Sequence, residues 1–157
     1  MEDKHGFLPV LNIIELNIAL FAFLANFVWE ILQGGLYLGF NELSYKQGVN
    51  YCVRATLADT GIILASFWLL AWLGGGRHWP LCPGIGRILV FTLIGLVTTI
   101  VLEILSTRVW SRWSYAASMP VIPILDVGLA PFLQWVLLPP LTIWFVRRQV
   151  SQRHKPS

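Results

Sequence analysis

Four apolar stretches separated by short polar or proline-containing connectors organise this chain of 157 residues. The pattern predicts helices over about residues 10–33, 53–73, 85–105 and 124–146, followed by a basic tail at 147–157. At about 1.5 Å per residue, a run of roughly 20 apolar residues crosses the hydrocarbon core of a bilayer. We therefore expect an all-α, polytopic membrane protein, built as an antiparallel bundle of four transmembrane helices in a single domain over residues 1–157.

Composition supports this class and argues against a soluble domain. The chain is 56% hydrophobic and only 12% charged, whereas soluble domains carry roughly 25% charged residues. The net charge of +3 comes from basic residues scattered between apolar segments. No basic patch of the kind that binds nucleic acid is present in the sequence, so no nucleic-acid partner is expected.

The first helix carries an unusual polar face. Asn26, Glu30 and Gln33 are spaced i, i+4, i+7, so they share one side of a helix. A carboxylate within a spanning segment costs roughly 2.5–3.5 kcal/mol on insertion scales and usually faces protein or water. This face is therefore predicted to point into the bundle.

The distribution of basic residues predicts the orientation. In a four-helix topology the N-terminal lead, the second loop and the tail lie on one side and hold seven of the 11 Lys and Arg residues. The excess of positive charge favours the cytoplasmic side. We expect a multi-pass protein of a bacterial inner membrane with both termini in the cytoplasm.

This topology places most of the acidic membrane residues at the outer ends of their helices. Glu30, Asp59 and Glu103 then lie at similar depth and are the candidate catalytic residues, because clustered carboxyl groups can retain a proton and supply a general acid. Arginines nearby would neutralise a carboxylate or hold an anionic headgroup. The candidate binding residues are Asn26, Gln33, Arg108, Arg112, Trp113, Tyr115 and Gln134.

Several other chemistries are disfavoured. No histidine falls in the predicted cluster, which argues against zinc, copper and histidine-dependent nucleophilic catalysis. The sequence has neither a Walker loop nor a dinucleotide fingerprint. Carboxylates alone also suit a divalent cation, but no ligand spacing selects this use. We therefore predict no metal site and no cofactor.

A structural use of the same residues stays open. Carboxylates near helix ends also pair with arginines and fix helix packing. One interpretation is a protein that binds or acts on a lipophilic molecule from the outer leaflet, with membrane lipids as partners. The alternative is a non-enzymatic accessory or assembly subunit that pairs with a partner membrane protein, and a transporter ranks third. The sequence does not decide whether the chain is an enzyme.

Short motifs also suggest relatives. The chain resembles a group of small four-helix bacterial membrane proteins in its Trp29-Glu30-x-x-Gln33 motif, its late Glu103, and the pattern Arg112-Trp113-x-Tyr115-x-x-x-Met119-Pro120. That group has no settled activity, so the likeness implies a fold and imports no catalytic residue. More faintly, a helical Glu followed by Trp113-x-Tyr115 and a proline is similar to carotenoid-modifying membrane cyclases and hydratases.

Overall fold

The computed structural model describes residues 13–152, and four long helices dominate it. They are α1 (Ile14–Gln33), α2 (Tyr45–Leu70), α3 (Ile85–Ile104) and α4 (Leu129–Gln152). A two-stranded antiparallel hairpin of β1 (Val121–Ile122) and β2 (Val127–Gly128) precedes α4. Each of the four helices is long and apolar enough to cross a membrane. The predicted N-terminal lead and the last residues of the tail, 153–157, lie outside the described residues.

The helices pack as a bundle in which α1 contacts α2 and α4, and α3 contacts α4 and α2. Contacts between the ends of the helices show that successive helices alternate in direction. At one end, Gln33 at the end of α1 contacts Gln134 in α4, and Tyr37 just after α1 contacts Glu103 near the end of α3. We call this end of the bundle, where α2 and α4 begin, the upper end. At the opposite end Arg77 clamps Glu15 through two hydrogen bonds of 2.6 and 3.0 Å.

The buried face of α1 is the one that the sequence spacing predicts. Ala22, Asn26 and Glu30 are buried, whereas Leu24 and Val28 are more than half exposed. A helix with its polar groups inside and its leucines outside is the arrangement expected of a segment surrounded by lipid. The polar face therefore lies against the other helices.

Helix α2 begins at Tyr45, well before the predicted start near residue 53. The cause is a capping box, in which Gln47 Oε1 accepts from the backbone N–H of Ser44 at 3.0 Å and from its hydroxyl at 2.7 Å. A Ser-x-x-Gln pattern is a known start signal, but the residues after it are too polar to belong to the apolar run. Hydrophobicity alone therefore placed the boundary too late.

Helix α4 begins at Leu129 rather than near residue 124. The β1–β2 hairpin occupies the intervening residues, and Asp126 turns the chain in a left-handed conformation with φ of 54°. This conformation cannot continue a right-handed helix. The helix then runs through Pro139 to Gln152, so the first part of the predicted tail is helical.

The connectors at the upper end form a cap that is tied together by backbone hydrogen bonds. The Leu38 N–H donates to the Ser114 carbonyl at 2.9 Å, and the Ala116 N–H donates to the Leu36 carbonyl at 2.9 Å. An isolated bridge pairs Tyr37 with Tyr115 between them. The α3–α4 connector is thereby held over the ends of the helices.

Gly95 provides a test of the α3–α4 packing. A Cβ atom at this position would lie 2.3 Å from the ring of Trp135, which is 2% exposed. We expect Gly95→Ala to reduce the free energy of unfolding in detergent by about 1–3 kcal/mol, because the indole has to shift within a packed core.

The matched control is Gly61→Ala in the middle of α2, where an added Cβ meets nothing within 4 Å. This variant should keep or slightly raise the melting temperature. Equal behaviour of the two variants in thermal denaturation would show that the contact between Gly95 and Trp135 is not close.

Candidate functional site

A hydrogen-bonded network centred on Gln134 joins α1, α2 and α4 near the upper end. Gln134 Nε2 lies 2.8 Å from Asn26 Oδ1, 2.9 Å from Asp59 Oδ2 and 3.3 Å from Glu30 Oε1. An amide nitrogen has two hydrogens for these three acceptors. The longest contact, to Glu30, is therefore the weakest, and the amide satisfies the carboxyl groups only in part.

Gln33 fixes the position of Glu30 from the next turn of α1. Its Nε2 donates to Glu30 Oε1 at 2.7 Å and to Gln134 Oε1 at 3.1 Å. Its own Oε1 accepts from the indole of Trp29 at 3.1 Å. The Trp-Glu-x-x-Gln motif thus forms a local chain of hydrogen bonds, in which Trp29 donates to Gln33 and Gln33 donates to Glu30.

Glu30 and Asp59 are neighbours on α1 and α2. Both contact the same amide nitrogen, through one oxygen each. Within residues 13–152 neither carboxyl group forms an ion pair with a basic side chain. Glu30 is 7% exposed and Asp59 is half-buried, so the pair lies in a largely protein-lined environment without a compensating cation.

Glu103, near the end of α3, is surrounded by aromatic donors. The Tyr115 hydroxyl donates to Oε2 at 2.5 Å, and the Tyr37 hydroxyl and Trp113 indole donate from 3.4 Å each. Burial and this carboxylate raise the pKa of both tyrosines above the ordinary value. The phenols therefore keep their protons and act as donors.

All three carboxyl groups line one cavity of about 500 Å³. Ala58 on α2 and Leu102 on α3 also line it, and both are exposed. The wall of the cavity thus includes an exposed position on each of these two helices. Its other lining residues are Gln33, Tyr37, Tyr51, Arg54, Ala55, Ile62, Thr99, Arg112, Trp113, Gln134 and Trp135.

Most residues proposed from the sequence meet at this cavity, with one clear exception. Arg108 is absent from the wall and forms an exposed ion pair with Asp126. The sequence predicts that Arg108 neutralises a nearby carboxylate or holds an anionic headgroup. The carboxylate that it pairs with is Asp126 rather than one of the cavity, because the π-helical turn over Leu105–Val109 and the left-handed turn at Asp126 bring these two side chains together. Asn26 and Tyr115 do not line the cavity themselves. Asn26 accepts a hydrogen bond from Gln134, and Tyr115 donates one to Glu103, and both of these partners line it.

Among the polar residues of the wall, the candidate set drawn from the sequence lacks Tyr37, Tyr51, Arg54 and Thr99. A signal for Tyr51 exists, because Tyr51 and Asp59 are eight residues apart and share a helix face. It was overlooked because α2 was expected to start after Tyr51. Arg54 is exposed at the same end of α2, and nothing in its sequence context distinguishes it from an interfacial arginine.

Taken together, the fold is a mostly helical bundle with four possible membrane spans and a carboxyl-lined cavity. No group of three or more His, Cys, Asp or Glu side chains within the described part of the chain is arranged to hold a metal ion. Cys52 and Cys82 are both free thiols. Comparison with protein-family models, curated proteins and solved structures finds no significant match to this chain.

Removing the central amide tests the network. We expect Gln134→Leu to reduce the free energy of unfolding by about 1–3 kcal/mol, because buried carboxyl and amide oxygens on two other helices lose their donor. Thermal denaturation in detergent measures this. Gln149→Leu, near the other end of α4, is the control and should behave like the wild type. An unchanged melting temperature for Gln134→Leu would mean that the network does not hold the helices together.

Proposed function

We propose that this chain is a multi-pass protein of a bacterial inner membrane that binds a lipophilic molecule in the upper cavity. In this proposal Glu30 and Asp59 together exchange a proton with the polar group of that molecule. The observation that supports it is the position of the carboxyl pair, on the wall of a cavity that is also lined by the exposed Ala58 and Leu102.

The chemistry of the pair supports a role in proton exchange. Two adjacent carboxylates repel each other strongly in surroundings of low polarity, so such a pair favours a state in which one proton is shared. The shared proton is then available to a ligand in the cavity. Glu103 differs, because it accepts from three aromatic donors, which stabilises a carboxylate and suits a positioning role.

The shape of the cavity supports a lipophilic ligand. Its volume of about 500 Å³ falls within the range of roughly 300–1,000 Å³ that is usual for small-molecule sites. We place the portal of the cavity between α2 and α3, whose outward faces are apolar. A molecule dissolved in the hydrocarbon phase would reach the carboxyl pair without crossing water.

The accessory-subunit interpretation has less support. It requires intramembrane charges on the outer surface, where a partner helix would pair with them. Glu30, Asp59 and Glu103 instead line the cavity. The exposed Asp126 is paired with Arg108 within the chain.

The orientation is testable by reporter fusions. We expect both termini to be cytoplasmic, because the side of the membrane that holds the termini also holds most of the basic residues. A fluorescent protein fused after Ser157 should be fluorescent, and alkaline phosphatase at the same position should be inactive. An active phosphatase would reverse the topology and place the cavity in the inner leaflet.

Glu30→Gln tests the proposed role of the carboxyl pair. The amide keeps the shape of the side chain and its hydrogen bonding but cannot exchange a proton near neutral pH. We expect the variant to keep its melting temperature and to lose at least about tenfold of the lipophilic compound that co-purifies with the wild type, measured by mass spectrometry, or about 1.4 kcal/mol of binding.

Glu42→Gln is the matched control, because Glu42 is an exposed carboxylate in the connector at the same end of the bundle and does not line the cavity. It should retain the compound at the wild-type level. Full retention by a stable Glu30→Gln protein as well would contradict the proposal and leave Glu30 as a packing residue.

A further inference from the structure

Charge is distributed unevenly within the cavity. The three carboxyl groups lie in its interior, whereas Arg54 and Arg112 line it from exposed positions at the rim. Neither arginine is paired with a carboxylate among residues 13–152. Arg112 lies over the ring of Trp110, with 4.9 Å from its guanidinium carbon to the ring centroid, which leaves the edge of the guanidinium free to bind an anion.

The interior has the composition of an ammonium site. Tyr37, Tyr51 and Trp113 line the cavity beside the carboxyl groups. Aromatic faces attract cations, most strongly where the site is shielded from water, and carboxylates form strong charge-assisted hydrogen bonds with an N–H donor. The acidic groups and the aromatic rings thus favour the same kind of ligand.

We propose that the ligand is a zwitterionic amphiphile, with its ammonium beside Glu30 and Asp59 and its phosphate at Arg54 and Arg112. This inference rests on the proposed function, since it specifies the class of lipophilic molecule. Its acyl chains leave through the portal between α2 and α3, towards the lipid.

Charge balance agrees with this assignment. With one shared proton, the Glu30–Asp59 pair and Glu103 balance the two arginines. A zwitterion keeps the site neutral, whereas an anionic or a cationic amphiphile leaves a net charge that is costly in a medium of low polarity.

The test is a competition experiment on the delipidated full-length protein in detergent, read by native mass spectrometry. The probes are phosphatidylethanolamine, phosphatidylglycerol with the same acyl chains, and a long-chain alkylamine. We expect phosphatidylethanolamine to bind at least about tenfold more tightly than either of the others. Equal binding of phosphatidylethanolamine and either competitor would overturn the inference.

Variants test whether Arg54 and the Glu30–Asp59 pair each contribute to the preference for phosphatidylethanolamine. Arg54→Gln, at an exposed position, should remove the preference over the alkylamine. Glu30→Gln combined with Asp59→Asn should remove the preference over phosphatidylglycerol. Arg87→Gln and Glu42→Gln, which lie outside the cavity, should keep both preferences. Unchanged preferences in Arg54→Gln would overturn the inference even if the double variant fails to fold.

Ala58→Trp separates this inference from the proposed function, because an indole at the portal blocks any ligand. If phosphatidylethanolamine is not preferred but Ala58→Trp abolishes retention of some other lipophilic compound, the zwitterion inference is wrong and the proposed function stands. If the wild type and Ala58→Trp retain the same compounds in the same amounts, both are wrong.

Discussion

Gln134 joins three helices through one side-chain amide, and the geometry of the candidate site depends on that contact. Its nitrogen lies within 3.3 Å of acceptors on α1 and α2. A buried polar group without a partner costs about 1–3 kcal/mol. A shift of one helix along another would break these hydrogen bonds, so the network fixes the register of the helices. The amide nitrogen has only two hydrogens for three acceptors, however. Glu30 and Asp59, which have no basic partner among the described residues, therefore compete with Asn26 for these two hydrogen bonds. The interaction that fixes the bundle therefore also leaves an incompletely satisfied acidic pair at the wall of a cavity.

The remaining helix, α3, is connected to the candidate site through Glu103 rather than through Gln134. Glu103 on α3 is held by Tyr37, Trp113 and Tyr115, which come from the two connectors of the upper cap. The backbone hydrogen bonds between these connectors hold the aromatic side chains over the cavity. The three intramembrane carboxyl groups are thus held differently, one by aromatic donors and two by amides. This difference is the basis for assigning a positioning role to Glu103 and proton exchange to the Glu30–Asp59 pair.

Much of this arrangement could be predicted from the sequence, because it follows from helical spacing and from the alternating direction of the helices. Helical spacing placed Asn26, Glu30 and Gln33 on one buried face, and the alternation of helix direction placed Asp59 and Glu103 at the same end of the bundle. Contacts that depend on side-chain reach and on irregular backbone were not predictable in this way. Arg108 illustrates this limit, since its partner is set by a wide helical turn and by a left-handed residue, Asp126. The pattern of hydrophobic and polar residues predicts neither the wide turn nor the left-handed residue.

In the proposed function, the Glu30–Asp59 pair holds a proton and is accessible from the lipid phase. Reaction with a hydrophobic carbodiimide in membranes, followed by peptide mass spectrometry, tests it directly, because the reagent partitions into lipid and modifies protonated carboxyl groups. We predict an adduct on Glu30 or Asp59, greatly reduced by Ala58→Trp, with no comparable labelling of the exposed Glu42. Labelling confined to exposed carboxyl groups, with Glu30 and Asp59 unmodified, would contradict the account.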